Sequence, residues 1–299
     1  MSSSVGRLIE LYQDGGLESI FDGIRRFFHW RKLRVLRFFS MHCGPHLGIW
    51  LKGESLTEPI FIVGCPRSGT SIFTRNLASH PDVAEWSEAG RIWDPNYSDP
   101  TADHVFTSSD VTEQDRDRIR NTFLTYTKLR GKARFVNKHP RNTLRIEYIR
   151  ELFPDAYFIH MVRHPIGPVD SMMRRSKQDD RVSHPYGRFV KPPGWREDIH
   201  KDGLSQFALS WKKINEFLLD HHDERFYTVT YEALCENSVN AFNGVCEFVG
   251  LDPGFRAENL PRDMTNHNQR STKNLSLEER DRLWSIVEPV ATEFDYEKM

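Results

Sequence analysis

The run Pro59-Ile60-Phe61-Ile62-Val63 is apolar and rich in β-branched residues; it breaks at Gly64 and passes through Cys65-Pro66-Arg67-Ser68-Gly69 into Ser71 to Ser79, which has helical spacing. A short strand, a tight glycine-bearing loop and a helix leave few folds open, because a strand apolar on both faces needs helices to cover it. The pattern returns downstream. Thr143 to Leu152 reads as a helix stopped near Pro154, Ala156 to Val162 as a buried strand, and Arg163-His164-Pro165 as a turn into a helix carrying Val169, Met172 and Met173. Leu204 to Leu219 is an amphipathic helix, Arg225 to Tyr231 a strand, and Ala241 to Val249 a helix ending at Gly250. This alternation predicts an α/β fold with a P-loop-like central parallel sheet flanked by helices, since parallel neighbours need long crossovers. Residues 1–58 precede the first core strand and are expected to form a helical N-terminal extension, with 59–299 as one α/β domain. Asp94 to Asp117 and Gln178 to Gly203 are polar and turn-rich, and connections of that length commonly serve as lids.

The 41 Lys and Arg against 42 Asp and Glu leave a formal charge of -1, so no global field draws the protein to nucleic acid, and any anion site must be local. Cys43, Cys65, Cys235 and Cys246 form no Cys-x-x-Cys pair, which argues against structural zinc and a disulfide framework and for a reducing compartment. Met1 to Glu10 lacks the charged start and apolar run of a leader, and no uninterrupted apolar stretch is long enough to span a bilayer. The expectation is a cytoplasmic protein, with two readings open for residues 20–43. There Arg25, Arg26, Arg31, Lys32, Arg34 and Arg37 interleave with aromatic and leucine side chains, which suits peripheral contact with an anionic membrane or a helix packed on the core with its arginines paired to acids elsewhere.

The loop Gly64-Cys65-Pro66-Arg67-Ser68-Gly69-Thr70-Ser71 aims backbone N–H groups, hydroxyls and the positive end of a helix at an anion. Its glycines have the spacing of a nucleotidase loop, yet Thr70 stands where the triphosphate-gripping Lys belongs, and the loop's cation is Arg67. The later strand runs into Arg163 instead of a magnesium-holding Asp, and Ser171 returns a hydroxyl toward the same region. Two anion pockets on neighbouring strand ends imply a ligand with phosphates at two places.

These residues resemble the sulfotransferases that use 3′-phosphoadenosine 5′-phosphosulfate (PAPS), especially the tyrosylprotein and related bacterial branch. The resemblance covers residues 59 to about 275, strongly only in patches. It implies that Pro66, Arg67, Ser68, Gly69, Thr70 and Ser71 hold the 5′-phosphosulfate, that Arg163 and Ser171 clamp the 3′-phosphate, and that Tyr231, in Val229-Thr230-Tyr231-Glu232, lies near the adenine. Glu88, after His80-Pro81-Asp82-Val83, matches the position of that branch's catalytic carboxylate. Lys138, in Asn137-Lys138-His139-Pro140, matches its catalytic Lys. Arg270 and Ser271 resemble a late segment that closes over the cofactor, with Ser271 near the sulfate. His139 departs from that branch's Asp, and cytosolic sulfotransferases take their base from a His close after the same Lys, so Glu88 and His139 are both candidates for the base.

Sulfuryl transfer needs positioning, a base for the acceptor O–H, and fixed cations or donors where charge develops. Glu88, Lys138 and Arg67 supply these residue types, and no metal is invoked. The resemblance implies PAPS as donor, 3′-phosphoadenosine 5′-phosphate (PAP) as product, and a small-molecule, sugar or lipid acceptor. The rivals are a P-loop kinase or nucleotidase, disfavoured by Thr70 and Arg163, and a non-catalytic protein that binds a bis-phosphorylated nucleotide. The sequence leaves oligomeric state open.

Overall fold

The computed structural model describes residues 32–47, 54–95, 97, 99, 101–176, 186, 189–199, 201–260 and 265–299. Five strands, β1 (Ile60–Val63), β2 (Val83–Glu85), β3 (Arg134–Lys138), β4 (Tyr157–Val162) and β5 (Phe226–Thr230), form one sheet in the order β2-β3-β1-β4-β5. Every pairing is parallel. β1 is central, and all four of its residues are buried, which explains an apolar run with no alternation.

The helices that position the site are α1 (residues 32–43), α2 (Thr70–Leu77), α3 (Thr122–Leu129), α4 (Ile146–Leu152), α5 (Ile166–Ser176), α6 (Gly203–Leu219), α7 (Tyr231–Glu236), α8 (Ser238–Phe248), α9 (Asn268–Asn274) and α10 (Leu277–Ala291). Alternate strand residues enter two cores. Ile60, Ile62, Ile159 and Met161 pack with Phe73 and Leu77 of α2 and with Phe242 and Val245 of α8. Phe61, Val63, Phe158 and Val162 pack on the other face with Phe123 of α3, Ile149 of α4, Val169 of α5, Trp211 of α6 and Val287 of α10. The chain leaves β1 toward one edge of the sheet and leaves β4 toward the other. The C-terminal ends of these adjacent strands therefore open into a crevice, where ligands bind in sheets of this kind.

Two local features differ from the sequence reading, and a third bears out for Arg37 the reading in which an arginine of residues 20–43 is paired to an acid elsewhere. Thr143 to Leu152 is not one helix: Pro140–Leu144 is a 3-10 turn, Arg145 leaves helical geometry at φ -131°, ψ 34°, and α4 begins at Ile146. The break has a cause, because the fully buried Arg145 turns inward to donate to Asp94 Oδ2 at 3.0 Å, while Thr143 is drawn onto the loop after β1. The strand β2 has three residues, too few to show a period. Arg37, counted above among the cations of residues 20–43, is engaged by the fold: its Nη2 donates to Glu85 O at 3.0 Å and to Glu85 Oε2 at 3.1 Å. α1 buries Leu33 and Ser40 but exposes Val35, Phe38, Phe39 and Met41. Arg25, Arg26 and Arg31 lie outside the described residues.

Candidate active site

The loop after β1 is set by two glycines and one threonine. Gly64 has φ +145°, and a Cβ there would come within 2.2 Å of Met161 O on β4, so only glycine fits where the chain leaves the sheet. Gly69, at φ +94°, caps α2 with its position against the ring of Tyr231. Thr143 braces the loop from below. Its Oγ1 accepts from Gly64 N at 3.2 Å and donates to Gly64 O at 3.1 Å. Ser68 is buried, and its Oγ has no hydrogen-bond partner among the described residues, so a donor is held ready inside the loop.

Arg67 projects from this loop in a left-handed conformation, φ +73°, and its Nε donates to Ser171 Oγ on α5 at 2.9 Å. That bond joins the two predicted anion pockets. Together with Arg163, Gly167, Arg174, Arg175, His267, Arg270 and Ser271 they line one cleft of about 280 Å³. Among the described residues five arginines and no carboxylate line it, although Arg174 is shared with Asp170 behind it at 3.1 Å. Burial lowers the pKa of Arg67, and Arg175 and Arg174 lower it further; burial likewise lowers Arg163, partly opposed by Tyr231 and Glu232. An anion in the cleft relieves this crowding of like charge.

Arg163 lies over the Tyr231 ring at 4.1 Å, and the Tyr231 hydroxyl donates to Thr265 O at 2.8 Å. Tyr231 thus serves as a platform beneath Arg163 and beside Gly69. Ser271 and Arg270, at the start of α9, stand on the same wall as Arg163 and Ser171.

Lys138 ends β3 in register with Ile62, level with the mouth of the loop. Its Nζ meets Glu88 Oε1 at 2.5 Å, and Glu88 N donates to Lys138 O at 2.8 Å. The Lys side chain is 5% exposed and the Glu side chain 65%, so a buried ammonium supports a carboxylate that reaches outward. Glu88 sits at φ +56°. Four non-glycine residues among those described have positive φ, and Arg67 and Glu88 are two of them, each at a cost of roughly 1–2 kcal/mol.

His139 is 1% exposed, with neither ring nitrogen hydrogen-bonded among the described residues. Burial, then Arg145, Arg141 and Lys138, hold its pKa down to about 3. Tyr97 packs on its ring at 5.3 Å, and Arg141 caps the Tyr97 ring at 4.2 Å. The two polar connections read as lids bind each other: Lys191 N donates to His104 Nδ1 at 2.9 Å, Lys191 Nζ to Ala102 O at 2.8 Å, and Trp195 Nε1 to Asp103 Oδ1 at 2.6 Å.

A model described as the sulfotransferase family matches residues 59–255. The chain belongs to that family. Protein-tyrosine sulfotransferase 2 of Gallus gallus is 25% identical over 211 residues, covering 64% of this chain and 51% of that one. The nodulation protein NoeE of Sinorhizobium fredii is 26% identical over 119 residues, covering 35% and 28% respectively. The chain spans about half the length of the tyrosine sulfotransferases it matches first. Among solved structures, the sulfotransferase domain from the curacin biosynthetic pathway superposes with a TM-score of 0.53 at 16% identity, over 82% of this chain and all of that one. The sulfotransferase domain of the Synechococcus PCC 7002 olefin synthase gives 0.51 at 16% identity, over 82% and 97%. These two likenesses show the fold.

Several residues of the cleft carry no local signal. Thr143, Gly167, Asn268, Arg174, Arg175 and His267 reach it only through packing. Gly167 is the most constrained: a Cβ there would fall within 2.4 Å of Arg163 Nε. The spacing of Gly167 from Arg163 within one strand-to-helix turn was the one available hint.

Proposed function

We propose that residues 59–299 form a catalytic domain that moves a sulfuryl group from PAPS to an acceptor hydroxyl by in-line displacement. The observation that carries this reading is the single cleft in which Arg67, from the loop after β1, bonds Ser171 beside Arg163, so that two anion positions are bridged by one side chain. The residues fit the donor. The unpartnered Ser68 Oγ, the loop N–H groups and Thr70 and Ser71 at the start of α2 suit its 5′ end, and Arg163 and Ser171 suit a 3′-phosphate.

In this reading Glu88 accepts the acceptor's proton as the acceptor O–S bond forms and the bond from sulfur to the bridging oxygen breaks. Lys138 and Arg67 hold the negative charge that collects on the departing 5′-phosphate, and PAP leaves. Tyr231 supports the nucleotide side, while Arg270 and Ser271 close the cleft. The left-handed backbone at Glu88, its outward carboxylate and its Lys138 partner favour it over His139 as base, since the His139 ring is 1% exposed and packed against Tyr97. A sugar, glycolipid or other small amphiphile is the proposed acceptor class. The apolar outer face of α1, with Lys32 and Arg34 beside Val35, Phe38 and Phe39, supports peripheral contact with an anionic membrane.

The test is transfer of radiolabelled sulfate from PAPS to a panel of sugars, glycolipids in anionic or neutral vesicles, and tyrosine peptides. Label is expected on a hydroxylated acceptor, and faster on glycolipid in anionic than in neutral vesicles. Sole modification of the tyrosine peptide would overturn the acceptor class, and magnesium-dependent ATP turnover without sulfate transfer would overturn the reaction.

A further inference from the structure

The guanidinium of Arg163 is held from several sides before any ligand arrives. Tyr231 lies beneath it, Gly167 leaves no room above Nε, and Nη1 donates to Arg67 O at 3.3 Å. Its Nε donates to Asn268 Oδ1 at 2.8 Å. With Nε and one Nη1 hydrogen engaged among the described residues, the second Nη1 hydrogen and both Nη2 hydrogens are left for a ligand. An arginine that binds phosphate gains most when this fork is already oriented.

Asn268 orients it correctly in only one of two amide states. Turned over, its NH2 would face the Nε–H, donor against donor. Glu232 selects the right state, since its Oε1 accepts from Asn268 Nδ2 at 2.5 Å and from His164 N at 3.1 Å. Its other oxygen, Oε2, accepts from the Tyr296 hydroxyl at 2.7 Å. Burial and the Glu232 carboxylate raise the Tyr296 pKa, which keeps that phenol a donor. The C-terminal segment is pinned once more where His164 Nε2 donates to Glu297 O at 2.9 Å. A chain of bonds therefore runs from Tyr296 through Glu232 and Asn268 to Arg163. Because Asn268 also begins α9, the same chain fixes the wall that carries Arg270 and Ser271.

The geometry points to Asn268, Glu232 and Tyr296 as positioning residues for 3′-phosphate recognition, through which the C-terminal segment sets the donor selectivity of the cleft. None of the three is needed to touch the donor; they act by holding the Arg163 fork and α9. The inference rests on the sulfotransferase reading and goes beyond it in saying where selectivity is controlled.

The readout is the ratio of the calorimetric Kd for ADP to that for PAP in the full chain. Glu232→Leu, of similar size but with neither acceptor oxygen, is expected to lower that ratio about tenfold, with ADP affinity changed less than about twofold. Tyr296→Phe, which removes one hydroxyl, should lower it in the same direction by about threefold. In turnover, both variants should raise the KM for PAPS with little change in kcat. A merely structural role would weaken PAP and ADP together, and that outcome, or an unchanged ratio, overturns the inference while leaving the sulfotransferase reading intact. Should Glu232→Leu fail to fold, Tyr296→Phe decides alone. A wild-type chain that does not distinguish PAP from ADP overturns the sulfotransferase reading itself, and this inference with it.

Discussion

Replacing Glu88 by Gln is expected to reduce sulfuryl transfer about 100- to 10,000-fold, the usual effect of removing a positioned base, while PAP affinity stays within about twofold. Gln keeps the shape of the side chain and can still lie against Lys138, so the Lys138–Glu88 contact at 2.5 Å is altered in charge more than in packing. What is lost is the atom that takes the proton. The parallel change His139→Asn should cost far less in turnover, because that ring is buried and rests on Tyr97. Single-turnover transfer and PAP calorimetry on the two variants check this together. A swapped outcome would assign the base to His139 and place the site among the cytosolic type.

Acid should destabilise the protein well above the range in which carboxylates titrate. Burial holds the pKa of His104 at about 2 and those of His139 and His160 at about 3. In the unfolded chain each returns to about 6.5. Between these limits the unfolded state binds three protons that the folded state refuses, so stability is full above about pH 6.5 and falls as pH drops. At pH 5.5 the three histidines together remove about 4 kcal/mol, against a folding margin of about 5–15 kcal/mol for ordinary domains. His164 and His222, also lowered chiefly by burial, act in the same direction. Urea unfolding at pH 7.5 and pH 5.5 measures the difference, and His139→Asn should recover about one third of it. An unchanged midpoint between the two pH values would mean that these rings take up protons in the fold as readily as in the unfolded chain.

The parts of this molecule that announce themselves in sequence are those whose constraint is local. Ile60 to Val63 shows as a strand because burial on both faces demands an unbroken apolar run, and Gly64 and Gly69 show as a loop because backbone geometry there excludes side chains. Arg67, Arg163 and Ser171 are visible by their places beside those elements. What stayed hidden depends on meetings across the chain. Thr143 reads as a helix residue until the sheet order brings it under Gly64, and Arg145 breaks that helix only because Asp94 is there to receive it. Glu232 belongs to a recognisable stretch, yet its work on Asn268 and Tyr296 joins segments 36 and 64 residues away. Arg37 belonged to a cationic run that suited either a membrane or pairing with acids elsewhere, and sequence could not name Glu85 of β2 as its partner.

The measurement that bears most directly on the proposed activity is a calorimetric titration of the full chain with PAP and with ADP. The two nucleotides differ chiefly in whether the second phosphate sits at the 3′ position, which Arg163 and Ser171 would recognise. Each charge-assisted bond lost with that phosphate is worth about 1.5–3 kcal/mol. PAP should bind at least about tenfold more tightly than ADP, and Arg163→Ala should abolish the preference. Equal affinity for the two nucleotides, or a preference for PAP that survives Arg163→Ala, would contradict a donor site built on this cleft.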